Sequence, residues 1–501
     1  MDALFELTHK QLIALNCMAG FLIVGLVACL LCPRLRDPAL FVMIFGAVFV
    51  RKWMDITFGG IWWYRGTTRG FEMSGIDLAT WCLLGATLLA PRYRSHRIYF
   101  PAGVGLWGLY FLYCCWSVGH SDPYVFGIWE LTKHFRALVI LITAALFIRT
   151  RRELFVMVLA FACSVWFLGL NAIEQRVIKH VLRPPATLDH ENSLSMYLCT
   201  VTPVFVASIF ADWPKWFRWF CGMTCVLAVV GSVLAVSRTG MPVLAFVMLG
   251  TAICCVSWQL TRRKILTVLS CVAAAGLALV VAWDRITVRY THASGTVMDE
   301  LMGEAGFESR AEYKNLAKQI VESRPLGVGL NNWSYYISKT YLSRSGIRYN
   351  DYDEITSPLD RDADPEVQPT FAPPAHSIFY LTIGELGIVG FGLLMLAFFR
   401  WFQMGASFLF GRLNADPMHR LGIGLLFCAA GMFLHSVTEW TYRQTQLMFT
   451  FHVLMGALAS LYYLKRQRKR AEKEARVRGE MEEEIVEEDI PLPAAAYRRS
   501  L

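Results

Sequence analysis

The stretch Pro373-Pro374-Ala375-His376-Ser377-Ile378-Phe379-Tyr380-Leu381 is where a long polar insert, residues 284 to 375, turns into an apolar run that continues to about residue 400. On both sides of the insert lie apolar runs of roughly 18 to 22 residues, the length a helix needs to cross a bilayer. They fall near 11–32, 38–58, 75–90, 98–116, 132–148, 154–174, 193–211, 219–236, 241–258 and 264–283, then near 376–400, 421–439 and 446–464. The pattern predicts an all-α polytopic membrane protein with about 12–13 transmembrane helices and one large extracytoplasmic loop between the tenth and eleventh spans. Four parts follow: N-terminal transmembrane helices over 1–283, a large periplasmic loop over 284–375, C-terminal transmembrane helices over 376–464, and a charged cytoplasmic tail over 465–501.

Composition agrees with a lipid-facing bundle. Of 501 residues 55% are hydrophobic and only 17% are charged, which is too apolar for a soluble chain. The net charge of +9 does not point to nucleic acid, because the bases sit in short links between apolar runs and are not interleaved with aromatics on one surface. The links with Arg34 and Arg36, Arg92 to Arg97, Arg149 to Arg152, Lys215 and Arg218, Arg262 to Lys264, Arg412 and Arg420, and Lys465 to Arg470 alternate along the chain. Positive charge marks the cytoplasmic side, which places the amino terminus and the insert outside. The first span lacks a basic leader and a small-residue cleavage site, so it is expected to stay as an anchor. The insert holds about ten lysines and arginines against about fourteen acidic residues, a balance compatible with export. Its part from Glu308 to Ser323 has helical spacing, and Asp351 to Pro374 is acidic and proline-rich. The fourteen cysteines lie in or beside apolar spans and show no metal spacing. No H-E-x-x-H or comparable histidine spacing occurs, and no metal site or cofactor is expected.

The exceptions to the topology are arginines. Arg65, Arg69, Arg136, Arg176, Arg183, Arg238, Arg310 and Arg443 sit at the outer ends of spans, where positive charge is normally sparse. Each has two readings. A neighbouring carboxylate can neutralise it, as Glu72 could Arg69 or Glu439 could Arg443. As a group, outward guanidinium forks also suit a polyanionic ligand such as a lipid pyrophosphate.

Several of these residues fall in stretches that resemble a known family. Ser237-Arg238-Thr239-Gly240, Glu308-Ser309-Arg310, the run from Arg324 to Asn332, and Ala375-His376-Ser377 followed by Gly384-Glu385-Leu386-Gly387 resemble the O-antigen ligase and Wzy superfamily. Tyr64 to Glu72 and Thr438 to Arg443 resemble its branch from exopolysaccharide and exosortase-type gene clusters. The likeness runs from about residue 34 to 464. It implies a metal-independent glycosyltransferase in the bacterial cytoplasmic (inner) membrane, with a polyprenyl-diphosphate-linked glycan as donor and a glycan, lipid or protein hydroxyl as acceptor. It also implies that Arg238, Arg310 and His376 are the essential residues. Family members usually have Asn after the histidine, where this chain has Ser377. Ligase and Wzy-type polymerase share the donor site and are not separated by the likeness.

The chemistry of the residues agrees with that implication. Expelling a diphosphate from an anomeric carbon needs positive charge on the leaving group, which Arg238 and Arg310 supply. The acceptor hydroxyl must lose a proton, a task that suits a histidine near neutral pH. Arg65, Arg69, Arg136, Arg183, His190 and Arg443 are the candidate substrate-binding residues. Asp189-His190-Glu191-Asn192 either meets sugar hydroxyls or caps the span that begins near Ser193. Gly327-Val328-Gly329 lacks the context of a phosphate loop and reads as a turn that brings the backbone close to the bundle. His435 and His452 lie inside spans, where a hydrogen bond to a neighbouring helix is expected. Trp62, Trp63, Trp213, Trp216 and Trp219 read as an interfacial belt. A flippase or transporter of lipid-linked glycans is the rival class. It should show charged or broken-helix sites near the midplane, and often two related halves, and the sequence shows neither.

Overall fold

The computed structural model describes residues 9–50, 55–60, 64–91, 98–237, 239–256, 310–342, 372–410 and 415–488. Arg238, Trp62, Trp63 and the expected span at 264–283 lie outside them. The described helices are α1 His9–Leu31, α2 Arg36–Phe45, α3 Gly75–Leu89, α4 Val104–Gly119, α5 Tyr124–Phe147, α6 Arg151–Val177, α7 Glu191–Ile209, α8 Lys215–Ala235, α9 Gly240–Cys255, α10 Arg310–Ser323, α11 Trp333–Ile337, α12 Ile378–Ala406, α13 Pro417–Ser436 and α14 Thr445–Glu488. Among them α1, α6, α7, α8, α12, α13 and the first part of α14 are long and apolar enough to cross a membrane, while α3, α4 and α9 are shorter apolar helices. The chain is an all-α polytopic membrane protein.

Two of the expected spans take a different form. The run at 38–58 is helical only as far as Phe45, tightens to a 3-10 turn over Gly46–Phe49, and then contributes β1, Asp55–Phe58. That strand pairs antiparallel with β2, Phe71–Ser74, with Asp55 opposite Ser74 and Phe58 opposite Phe71. Helix α5 begins at Tyr124, before the expected 132, and its first half carries Glu130, Lys133 and His134, all buried.

Helix starts follow local capping rules. Thr150 and Glu153 form a reciprocal capping box at α6, with Thr150 N donating to Glu153 Oε2 at 2.9 Å. Ser377 caps α12, its Oγ accepting from Phe379 N at 3.2 Å. Helix α7 is buried on nearly every side and packs against α8, α9 and α13, while α14 packs along α5. The links with Asp37 and Arg152 (2.6 Å), Arg151 and Asp212 (3.5 Å), and Asp416 and Arg468 (2.9 Å) meet at one end of this bundle.

Helix α12 is broken at Gly387, which has φ 65° and ψ −167°. The segment after α10 lies against the break. Val328 N donates to Gly384 O (3.0 Å), Gly329 N to Glu385 O (2.9 Å) and Ile388 N to Pro325 O (3.1 Å). Gly327 and Gly329 have φ of +86° and +104°, and a Cβ on Gly327 would stand 2.2 Å from Glu385 O. The glycine pair is a close-approach turn, and the middle of the insert is thereby joined to the bundle by main-chain bonds.

Candidate functional site

Opposite the basic links, the N-termini of α7, α9, α12 and α14 meet the C-termini of α8 and α13. His376, immediately before α12, is the centre of this end. Its Nδ1 lies 3.5 Å from Glu439 Oε2, and the two side chains are 42% and 8% exposed. Glu439 follows α13, and its own carbonyl accepts from Ile378 N at 3.2 Å, so main chain and side chain both tie it to the start of α12. Its other oxygen, Oε1, accepts from Asn192 Nδ2 on α7 at 2.9 Å. The Tyr313 ring of α10 packs 5.6 Å from the His376 ring. Thr438 Oγ1 lies 3.1 Å from Thr239 Oγ1. The chain neighbour of Arg238 and a residue one turn from Arg310 thus both reach the surroundings of His376.

Behind this end lies a buried ion network. Arg443, in the turn Thr441–Arg443, is 1% exposed and donates from Nε to Glu130 Oε1 (2.9 Å) and from Nη1 to Glu385 Oε2 (2.6 Å). Burial alone would weaken its hold on the proton, but the two carboxylates outweigh burial and keep the guanidinium charged above its ordinary range. Lys133 Nζ lies 2.8 Å from Glu130 Oε2 and donates to Arg443 O at 2.5 Å and Thr68 Oγ1 at 2.7 Å. Asn331, at φ 60°, joins the insert to this network. It donates to the carbonyls of Thr68 and Phe126, each at 2.9 Å, and accepts from Thr67 N at 2.8 Å. Tyr64, whose phenol burial raises well above its ordinary value, donates to Asn331 O.

The other residues singled out in the sequence are placed as follows. Arg136 forms a two-pronged pair with Asp77, Nε to Oδ1 at 2.9 Å and Nη2 to Oδ2 at 2.8 Å. Arg183 pairs with Glu191 at 2.5 Å. His190 is the cap of α7, its Nδ1 accepting from Asn192 N at 3.1 Å. Arg65 and Arg69 are exposed on the loop before β2. Arg176 donates to the carbonyls of Val181 and Leu182 just past its own helix. Arg310 opens α10. Arg443 is paired, but with Glu130 and Glu385 and not with Glu439. His452 bonds within its own helix, to Met448 O at 2.7 Å, where a neighbouring helix was expected. Glu439 and Asn192 are the residues that sequence reasoning did not assign to His376. The only signal was the replacement at Ser377, which left the imidazole in need of another partner.

Fold and site together define a helical membrane protein with a group of polar side chains around a half-exposed histidine at the end of the bundle opposite the basic links. Residues 223–395 match the family model described as O-antigen ligase, which supports membership of the O-antigen ligase and Wzy superfamily, membrane enzymes of the ligase and polymerase type. The matched range contains positions 238, 310 and 376. No curated protein matches the chain.

Proposed function

We propose that this protein is an O-antigen ligase-like glycosyltransferase of the bacterial cytoplasmic membrane. It moves a glycan from a polyprenyl-diphosphate carrier to an acceptor hydroxyl of a lipid, polysaccharide or protein on the outer face, without a metal. The observation that supports this best is the half-exposed His376 held against Glu439 at the end of the bundle opposite the basic links, with residues adjacent to Arg238 and Arg310 beside it. In the reaction the acceptor oxygen bonds to the anomeric carbon and the bond from that carbon to the diphosphate oxygen breaks. The electron pair leaves on the diphosphate, where Arg238 and Arg310 stabilise the charge. The hydroxyl proton passes to the imidazole. Arg65, Arg69, Arg183 and His190 line the approach of the substrate, and Arg136 and Arg443, committed to carboxylates, hold the wall behind it. A polymerase of the Wzy type uses the same donor chemistry with a growing glycan as acceptor.

The test is made on purified protein given a polyprenyl-diphosphate oligosaccharide. The parent protein should release free polyprenyl diphosphate and attach the glycan to an acceptor. His376→Ala should stop transfer while donor binding stays within a few-fold. Loss of donor binding in that variant would move His376 to the leaving-group side, and unimpaired transfer would remove it from the chemistry.

A further inference from the structure

We infer that Glu439, itself oriented by Asn192, is the positioning residue that sets the tautomer of His376; this rests on the reading of His376 as the base. A carboxylate only accepts hydrogen bonds. With Glu439 Oε2 facing Nδ1 at 3.5 Å, the neutral ring carries its hydrogen on Nδ1 and keeps the lone pair on Nε2. The Nδ1 edge faces a nearly buried carboxylate, so the exposed edge of the half-exposed ring is the Nε2 edge, where an acceptor hydroxyl approaches. The distance is at the outer limit of a hydrogen bond, as is common for catalytic pairs before substrate arrives.

Asn192 gives the arrangement its direction. Its Nδ2 donates to Oε1 at 2.9 Å, so one carboxylate oxygen is occupied and the other is left for the imidazole. The main-chain bond from Ile378 N to Glu439 O at 3.2 Å fixes the backbone of Glu439 two residues from His376. The elements supplying the three side chains, α7, the turn after α13 and the start of α12, are otherwise far apart in sequence. The arrangement follows the logic in which an acidic residue holds a catalytic imidazole in its working tautomer. It also explains how the imidazole is oriented with Ser377 beside it, since Ser377 spends its oxygen on capping α12.

An amide at position 439 has one accepting and one donating end. In Glu439→Gln the Asn192 donor draws the amide oxygen to the Oε1 position, which points the amide NH2 at Nδ1 and forces the hydrogen onto Nε2. Removing that donor as well, in the double variant Glu439→Gln with Asn192→Ala, lets the amide turn over and restores the working tautomer. The experiment combines nitrogen-15 NMR of histidine-labelled full-length protein in detergent, with the His376 signal assigned by its loss in His376→Ala, and turnover with polyprenyl-diphosphate oligosaccharide. The expected result is a protonated Nδ1 and unprotonated Nε2 in the parent and the reverse in Glu439→Gln. Turnover in that variant should fall on the order of 10²- to 10⁴-fold with donor KM nearly unchanged, and the double variant should recover it about tenfold or more. An unprotonated Nδ1 in the neutral ring of the parent, near-parent turnover in Glu439→Gln, or a double variant no faster than the single would each overturn the inference. The NMR measurement needs no substrate, so it fails or succeeds independently of the catalytic role, which His376→Ala tests.

Discussion

Replacing Arg443 by Met tests whether the buried network holds the end of the bundle together. The substitution keeps much of the side-chain volume and removes the charge between Glu130 and Glu385. The two carboxylates do not suffer equally. Glu130 retains Lys133 at 2.8 Å, together with the hydroxyls of Thr67 and Thr68. Glu385 keeps main-chain hydrogen bonds from Asn331 and, at 3.4 Å, from Trp333 but no other ion pair among those described, so it becomes a buried charge without a cation. Breaking a buried pair from one side costs about 3–5 kcal/mol, and here most of that should arise at Glu385. Adding Glu385→Gln should therefore recover more than half of the loss, whereas adding Glu130→Gln should recover little. Equilibrium unfolding in mixed detergent micelles measures these differences. A loss below about 1 kcal/mol for Arg443→Met, or equal recovery from the two glutamine substitutions, would refute the reasoning.

Gly327→Ala should destabilise the protein by at least about 2 kcal/mol in the same unfolding assay, because the residue is at φ +86° and the new Cβ would meet Glu385 O. Asn331→Ala should cost about 1–3 kcal/mol, since it leaves Thr67 N and two carbonyls without their partner; a thermal midpoint unchanged from the parent would show that water replaces the side chain. Arg310→Lys keeps the charge but loses the fork, so turnover should fall severely while the protein still purifies as a folded species; near-parent turnover would reduce Arg310 to a general electrostatic role.

Much of the architecture is legible in the chain because lipid demands long apolar runs. The expected spans at 154–174, 193–211, 219–236 and 241–258 correspond to α6, α7, α8 and α9 within a few residues. What escapes is what depends on distant partners. The first two turns of α5, with Glu130, fall outside the expected span, and nothing local reveals that Arg443 neutralises Glu130 from far along the chain. The hairpin of β1 and β2 is hidden because Asp55-Ile56-Thr57-Phe58 continues an apolar run, and only pairing with Phe71–Ser74 makes it a strand. At the site, His376 stands out through its position after two prolines. Glu439 and Asn192 do not, since their relation to it exists only once α7 and the turn after α13 have packed together.

The break at Gly387 bears on how the protein is made. A span interrupted inside the bundle presents main-chain groups that lipid does not satisfy, and their partners here are Pro325, Val328 and Gly329. Those three residues leave the ribosome before Gly384 to Ile388. When the interrupted span is made, the strip of chain that completes it already exists, so the main-chain groups exposed at the break can be paired as soon as the span packs.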